Sequence, residues 1–156
     1  MIFQRINRTN PEKIFIVAYN THTSAFSNGQ AAMWDYTSEY DGVSFTKPTA
    51  SAKATSHYGA TFAGIASETI AAGAYGLIQV YGYHSAVRVR SVTGEAGGAA
   101  GHALALQSAV FCLETVHGEM AAISTETQIA FKMAGFMLAS NTLFTTSAIA
   151  CFVKAL

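Results

Sequence analysis

Turn signals recur along this chain about every 8 to 12 residues, and short β-rich runs lie between them. That spacing constrains the fold more than any other feature. "KIFIVAY" (13–19) is β-branched and aromatic on both faces, which predicts a buried strand. Asn28-Gly29 is a strong turn signal, followed by "QAAMWDY" (30–36). Asp41-Gly42 marks the next turn. "VSFTKP" then alternates Val43 and Phe45 with Ser44 and Thr46 until Pro48 stops it. "TFAGIASETI", "ALAL", "AVFCL", "IAFKMAGFMLAS" and "SAIACFVKAL" read as further strands. "LIQVYGY" and "SAVRVRSV" read as a hairpin around "GYHS", with Val87 and Val89 on one face and Arg88 and Arg90 on the other. No sustained 3.6-residue amphipathic stretch is present to build βαβ units. The expected fold is therefore all-β: a small β-barrel or sandwich of short antiparallel strands with Gly-rich turns.

The expected organisation is a polar N-terminal arm at 1–12, closed by Pro11, and one β-rich domain at 13–156. Residues 49–60 and the Gly/Ala-rich 93–102 read as loops, and 114–128 is ambiguous. A faint repeat runs through the domain. "AGIASETIAAGAYGLIQVYG" starts at Ala63 and "AGFMLASNTLFTTSAIACFVKAL" at Ala134. Each reads Ala-Gly, an apolar run, Thr with Ile or Leu, a turn and a strand, with a spacing that differs by two residues. The repeat suggests two similar hairpin halves.

Glycines 73, 76 and 82 in "ETIAAGAYGLIQVYGY" invite a phosphate-loop reading. A phosphate loop needs N–H groups converging at a helix N-terminus, usually with a Lys. Leu77 and Ile78 follow Gly76, so this stretch reads as a turn and a strand, with Gly82 at a bulge or close backbone approach. "GEAGGAAG" at 94–101 fails the same test. His22, His57, His84, His102 and His117 form no HxH or HExxH pattern, and no GxSxG elbow occurs. Asp35, Glu39 and Asp41 flank a turn and read as turn formers. Trp34, Tyr36 and Tyr40 read as core packing; the competing reading is sugar stacking in a β-barrel hydrolase or lectin. The expectation is no catalytic residue, no metal and no cofactor.

Charge narrows the partners. Only 12% of residues are charged, against about 25% in an ordinary soluble domain. Net charge is zero, which argues against a general nucleic-acid binder. Hydrophobic residues make up 51%, so part of the surface is expected to be covered by other subunits. Cys112 and Cys151 form no CxxC pair, and no run reaches the roughly 18 apolar residues of a membrane span. With no signal peptide in "MIFQRINRTN", the chain reads as soluble, made in a reducing cytoplasm and not bound to membrane.

Three stretches carry a resemblance. They are "SNGQAAMWDYTSEYDGVSFTKPTA", then "FAGIASETIAAGAYGLIQVYGYHSAVRV", and a short apolar final strand ending in a basic residue and Ala-Leu. Together they resemble the small structural proteins encoded near the capsid genes of tailed bacteriophages, the head decoration or cement type. The resemblance implies a virion protein, made in the host cytoplasm, that binds the outer capsid surface. It further implies the major capsid protein as partner and a homo-oligomer, trimer or dimer. The extra segments at 49–60 and 114–128 depart from that pattern and leave a tail, fibre or vertex component with receptor or glycan binding as the alternative. The expected contacts are Phe3, Arg5 and Arg8 of the arm, adding a strand to an exposed partner edge, and the Arg88/Arg90 face.

Overall fold

The computed structural model describes residues 12–37, 42–48, 61–90, 99–101, 103–107, 112–115, 134–140 and 146–155. The arm before Glu12, the loop at 49–60, most of 93–102 and residues 116–128 lie outside them. Among the described residues there are nine strands and no α-helix. They are β1 (Lys13–Asn20), β2 (Ala31–Trp34), β3 (Ser44–Thr46), β4 (Phe62–Ala66), β5 (Tyr75–Arg90), β6 (Ala103–Gln107), β7 (Cys112–Thr115), β8 (Gly135–Met137) and β9 (Thr146–Lys154).

Their pairing makes two five-membered rings that share one strand. The order β1-β3-β2-β4-β5 closes because β5 also pairs with β1. The order β5-β7-β6-β8-β9 closes because β9 returns to β5. Each ring opens with a parallel pair, β1–β3 or β5–β7, and every other step is antiparallel. The two halves expected from the repeat are these rings, and β5 ends the first and begins the second.

The repeated Ala-Gly pairs take equivalent places. Gly64 (φ 138) and Gly135 (φ 147) lie on β4 and β8. A Cβ on Gly64 would strike the Gln79 carbonyl, and one on Gly135 the Phe152 carbonyl. Only glycine lets the strands approach this closely. A second equivalence was not evident in the sequence. Gly29 (φ 85) donates its N–H to Ala66 O at 2.8 Å, and Gly101 (φ 90) donates to Met137 O at 2.8 Å.

Three expectations need correction. The hairpin around "GYHS" is instead the 16-residue strand β5. A two-residue hairpin turn of the common I′ type needs two adjacent positive-φ residues, and here Gly82 alone has one (φ 99). The chain therefore bends without reversing. Val80 is an extra residue against β1, and Ser85–Ala86 oppose one residue of β9, so two bulges help the bend. Second, β1 is not buried on both faces. Phe15 and Val17 are exposed, because no described element covers the outside of the first ring, and Ile14, on the inward face, is exposed near the start of the strand. Third, Val43 is exposed and Ser44 buried, because β3 begins only at Ser44 and Val43 sits in the bend before it.

The alternation of Val87 and Val89 with Arg88 and Arg90 holds: both valines are fully buried and both arginines half-buried. One continuous apolar core runs through both rings, from Phe26, Phe45 and Phe62 to Leu104, Met137 and Cys151. Each fully buried large side chain contributes on the order of 1.5–3 kcal/mol.

Candidate interaction surfaces

The turn that opens β5 is fixed by Asn20 at the end of β1. Asn20 is fully buried. Its Nδ2 donates to the carbonyls of Ser24 (3.2 Å), Ile70 (3.3 Å) and Ala71 (3.0 Å), and its Oδ1 accepts from the His22 N–H at 3.0 Å. Gly73 (φ 68) donates its N–H to Asn20 O. The glycine stretch is thus architecture. A buried amide meeting several carbonyls has no local sequence signature, and sequence reasoning missed it.

Beyond Asn20 the chain bends through residues 22–24. Lys47 Nζ donates to Ser24 Oγ at 2.7 Å and lies 5.3 Å from the Phe26 ring centroid. Ser24 Oγ is 3.0 Å from His22 Nδ1, which also accepts the Ser24 N–H at 3.1 Å. Burial first, then the charge of Lys47, lowers the pKa of His22 from its usual value. Lys47 is lowered too, by burial first and then by the charge of Arg88. These contacts hold the bend together.

Asp35 is buried and acts as a turn former. Its Oδ2 accepts from Thr21 Oγ1 at 2.7 Å, and its Oδ1 accepts from the Thr37 N–H and hydroxyl, both at 3.1 Å. Trp34 packs against the core and Tyr36 is exposed; Tyr40, Glu39 and Asp41 lie outside the described residues. His84 is buried beside the second bulge, where its Nδ1 accepts the Ala86 N–H at 3.1 Å. Among the described residues no group of three His, Cys, Asp or Glu could hold a metal ion.

Arg88 and Arg90 stand side by side in register on β5, opposite Ala148 and Thr146 of β9. The Arg88 N–H donates to Gly29 O on the other edge, and the Arg90 backbone is in register with Glu114 of β7. They occupy an interior strand, so they do not protect an edge. Phe3, Arg5 and Arg8 lie outside the described residues.

The larger exposed feature is apolar. Val17 stands opposite Leu77, and Tyr19 opposite Tyr75, in the β1–β5 register. Phe15, Val17 and Tyr19 alternate onto one face, and the Tyr19 and Tyr75 rings lie 5.0 Å apart. Val17 is 62% exposed and Tyr75 67%. A second patch lies on the other ring. Phe136 stacks on Phe152 at 5.2 Å, Tyr81 meets Phe152 edge-on at 5.1 Å, and Phe136 and Leu138 are exposed. Exposed apolar clusters of this kind mark contact surfaces.

No family model and no curated protein matches the chain. Among solved structures, the N base of the head fiber gp8.5 of bacteriophage phi29 is similar, with a TM-score of 0.47 and 8% identity over 91% of this chain and 96% of that one. A likeness this partial leaves the functional reading to the chain's own residues and surface.

Proposed function

We propose that this chain is a structural protein of a tailed-phage virion, and within that class a decoration protein that binds the outer capsid surface and stabilises the shell. The observation that carries the reading is the apolar stripe of Phe15, Val17, Tyr19, Tyr75 and Leu77 on an all-β protein with few charges. Such a stripe suits a protein that spends its working life against other subunits. The resemblance of the three sequence stretches to cement proteins supplies the partner, the major capsid protein. The half-buried Arg88/Arg90 pair adds a cationic contact for an acidic surface. Many weak identical contacts around a symmetric shell add to durable attachment.

The test is co-sedimentation with expanded capsids that lack the protein, with bound copies counted. Saturation at a multiple that matches the shell's local symmetry axes supports the decoration role. Folded protein that fails to bind refutes it. A mature virion holding only about a dozen copies would instead indicate a tail, fibre or vertex part.

A further inference from the structure

The two rings share β5 and lie on its opposite sides. Tyr75, Leu77 and Gln79 face outward from the first ring, and Ile65 of β4 stands opposite Gln79. The extra residue at Val80 shifts the alternation, so Gly82 and His84 continue that outward face. His84 in turn stands opposite Cys151, which is in the core of the second ring. The outward face of the first ring therefore leads into the inward face of the second. At this junction Ile65 and Gln79 are fully buried although they face outward. The second ring covers them: β4 touches β9, and the Arg88 N–H bonds to Gly29 O.

The repeat carries this junction to the free ends of the molecule. The pair Ile65–Gln79 corresponds to Phe136–Phe152, since Gly64 and Gly135 precede Ile65 and Phe136 on equivalent strands. One step along the register, Ile16–Ile78 corresponds to His84–Cys151. Two differences follow. The face that is buried in the first ring is exposed in the second, at Phe136 and Leu138, with Phe136 stacked on Phe152. The interior that closes over the buried His84 in the second ring is open beside Ile16 in the first. There a cavity of about 360 Å³ has a lining that includes Ile16, Val17, Trp34, Gly42, Ala63 and Val80 and carries no charge. An apolar cavity of about 150 Å³ already holds a benzene ring. The end repeats of stacked arrays ordinarily carry a polar outer face, whereas the outer face here is aromatic. We propose that the Phe136/Phe152 face of one copy seats in the mouth of the first ring of a second copy, as Ile65 and Gln79 seat against the second ring within one chain. The contact is head-to-tail, so copies join into a closed cycle or a chain. It does not depend on the virion reading.

The experiment uses the full chain, with mass by analytical ultracentrifugation and the emission of Trp34, the chain's one tryptophan, which lines the mouth. The unmodified protein should associate as its concentration rises, with a blue shift of the Trp34 emission. Phe136→Glu spoils the aromatic face and Val17→Glu the rim of the mouth; both positions are exposed, so the fold is kept. Each variant alone should associate ~tenfold or more weakly. An equal mixture of the two should form a dimer that grows no further and restore the Trp34 shift, because each supplies the surface that the other lacks. Should Phe136→Glu not fold, Leu138→Glu on the same face takes its place. Should Val17→Glu not fold, Gly42→Asp does, since aspartate tolerates the φ of 69 at that position. A monomer at every concentration, a variant that associates like the unmodified protein, or a mixture without the dimer overturns the proposal. So does association that leaves the Trp34 emission unchanged, since the mouth would then have no occupant from another copy.

Discussion

Gly82→Ala tests the continuous bent strand on which both rings depend. Gly82 has φ 99, and an added Cβ would strike the Glu12 carbonyl and lie 3.2 Å from Lys13 Cα. Holding alanine at positive φ costs about 1–2 kcal/mol. Forcing β1 away from β5 adds on the order of 1–3 kcal/mol, because the obstacle is backbone and cannot rotate aside. A total of about 3 kcal/mol lowers Tm by roughly 6–12 °C in a chain of this size. Gly42→Ala is the control: φ is 69, and nothing lies within 4 Å of the added Cβ. It carries the strain alone, about 1 kcal/mol and roughly 2–4 °C. Both melts are run at one protein concentration, so that association does not differ. Equal shifts for the two variants would refute the close approach at Gly82 and, with it, the bend of β5 against the start of β1.

Asn20→Ala removes the side-chain donor from the Ser24, Ile70 and Ala71 carbonyls, of which Ile70 and Ala71 keep the Phe26 and Ala74 N–H groups, and should cost about 1–3 kcal/mol, read by urea denaturation. His84 has its pKa lowered, by burial first and then by the charge of Lys13, against a smaller raising contact with the Ala66 backbone. The unfolded chain therefore takes up the proton first, and stability falls as pH drops below about 6.5. His84→Gln should flatten that slope in melts between pH 7 and 5; an unchanged slope would assign it elsewhere. Burial pushes the Cys151 thiol up to about 12, so alkylation read at the Cys151 peptide should stay slow in the native protein and become fast only in denaturant.

Much of the architecture was legible in local chemistry. Asn28-Gly29 turns where expected, because Gly29 supplies the positive φ that the turn requires. The β-branched and aromatic runs became strands, because their side chains suit a pleated sheet. The Ala63/Ala134 repeat emerged as two rings with the same strand order, because the same Ala-Gly pair admits the same close strand contact in each. The low charge foretold exposed apolar surface.

Other features depended on which distant strands meet. "GYHS" has the composition of a turn, but β1 and β9 pair with opposite edges of β5 at Tyr81 and Gly82 and hold it as one strand. "KIFIVAY" has the composition of a buried strand, and whether its second face is covered depends on what packs outside the ring. Among the described residues β3 meets β1 at only Tyr19 and Asn20, and no residue of β1 signals how far its neighbour runs. Periodicity and turn chemistry fix the strands and their turns within a few residues of chain. Edge, face and exposure are properties of pairs far apart in sequence, and only the folded chain brings those pairs together.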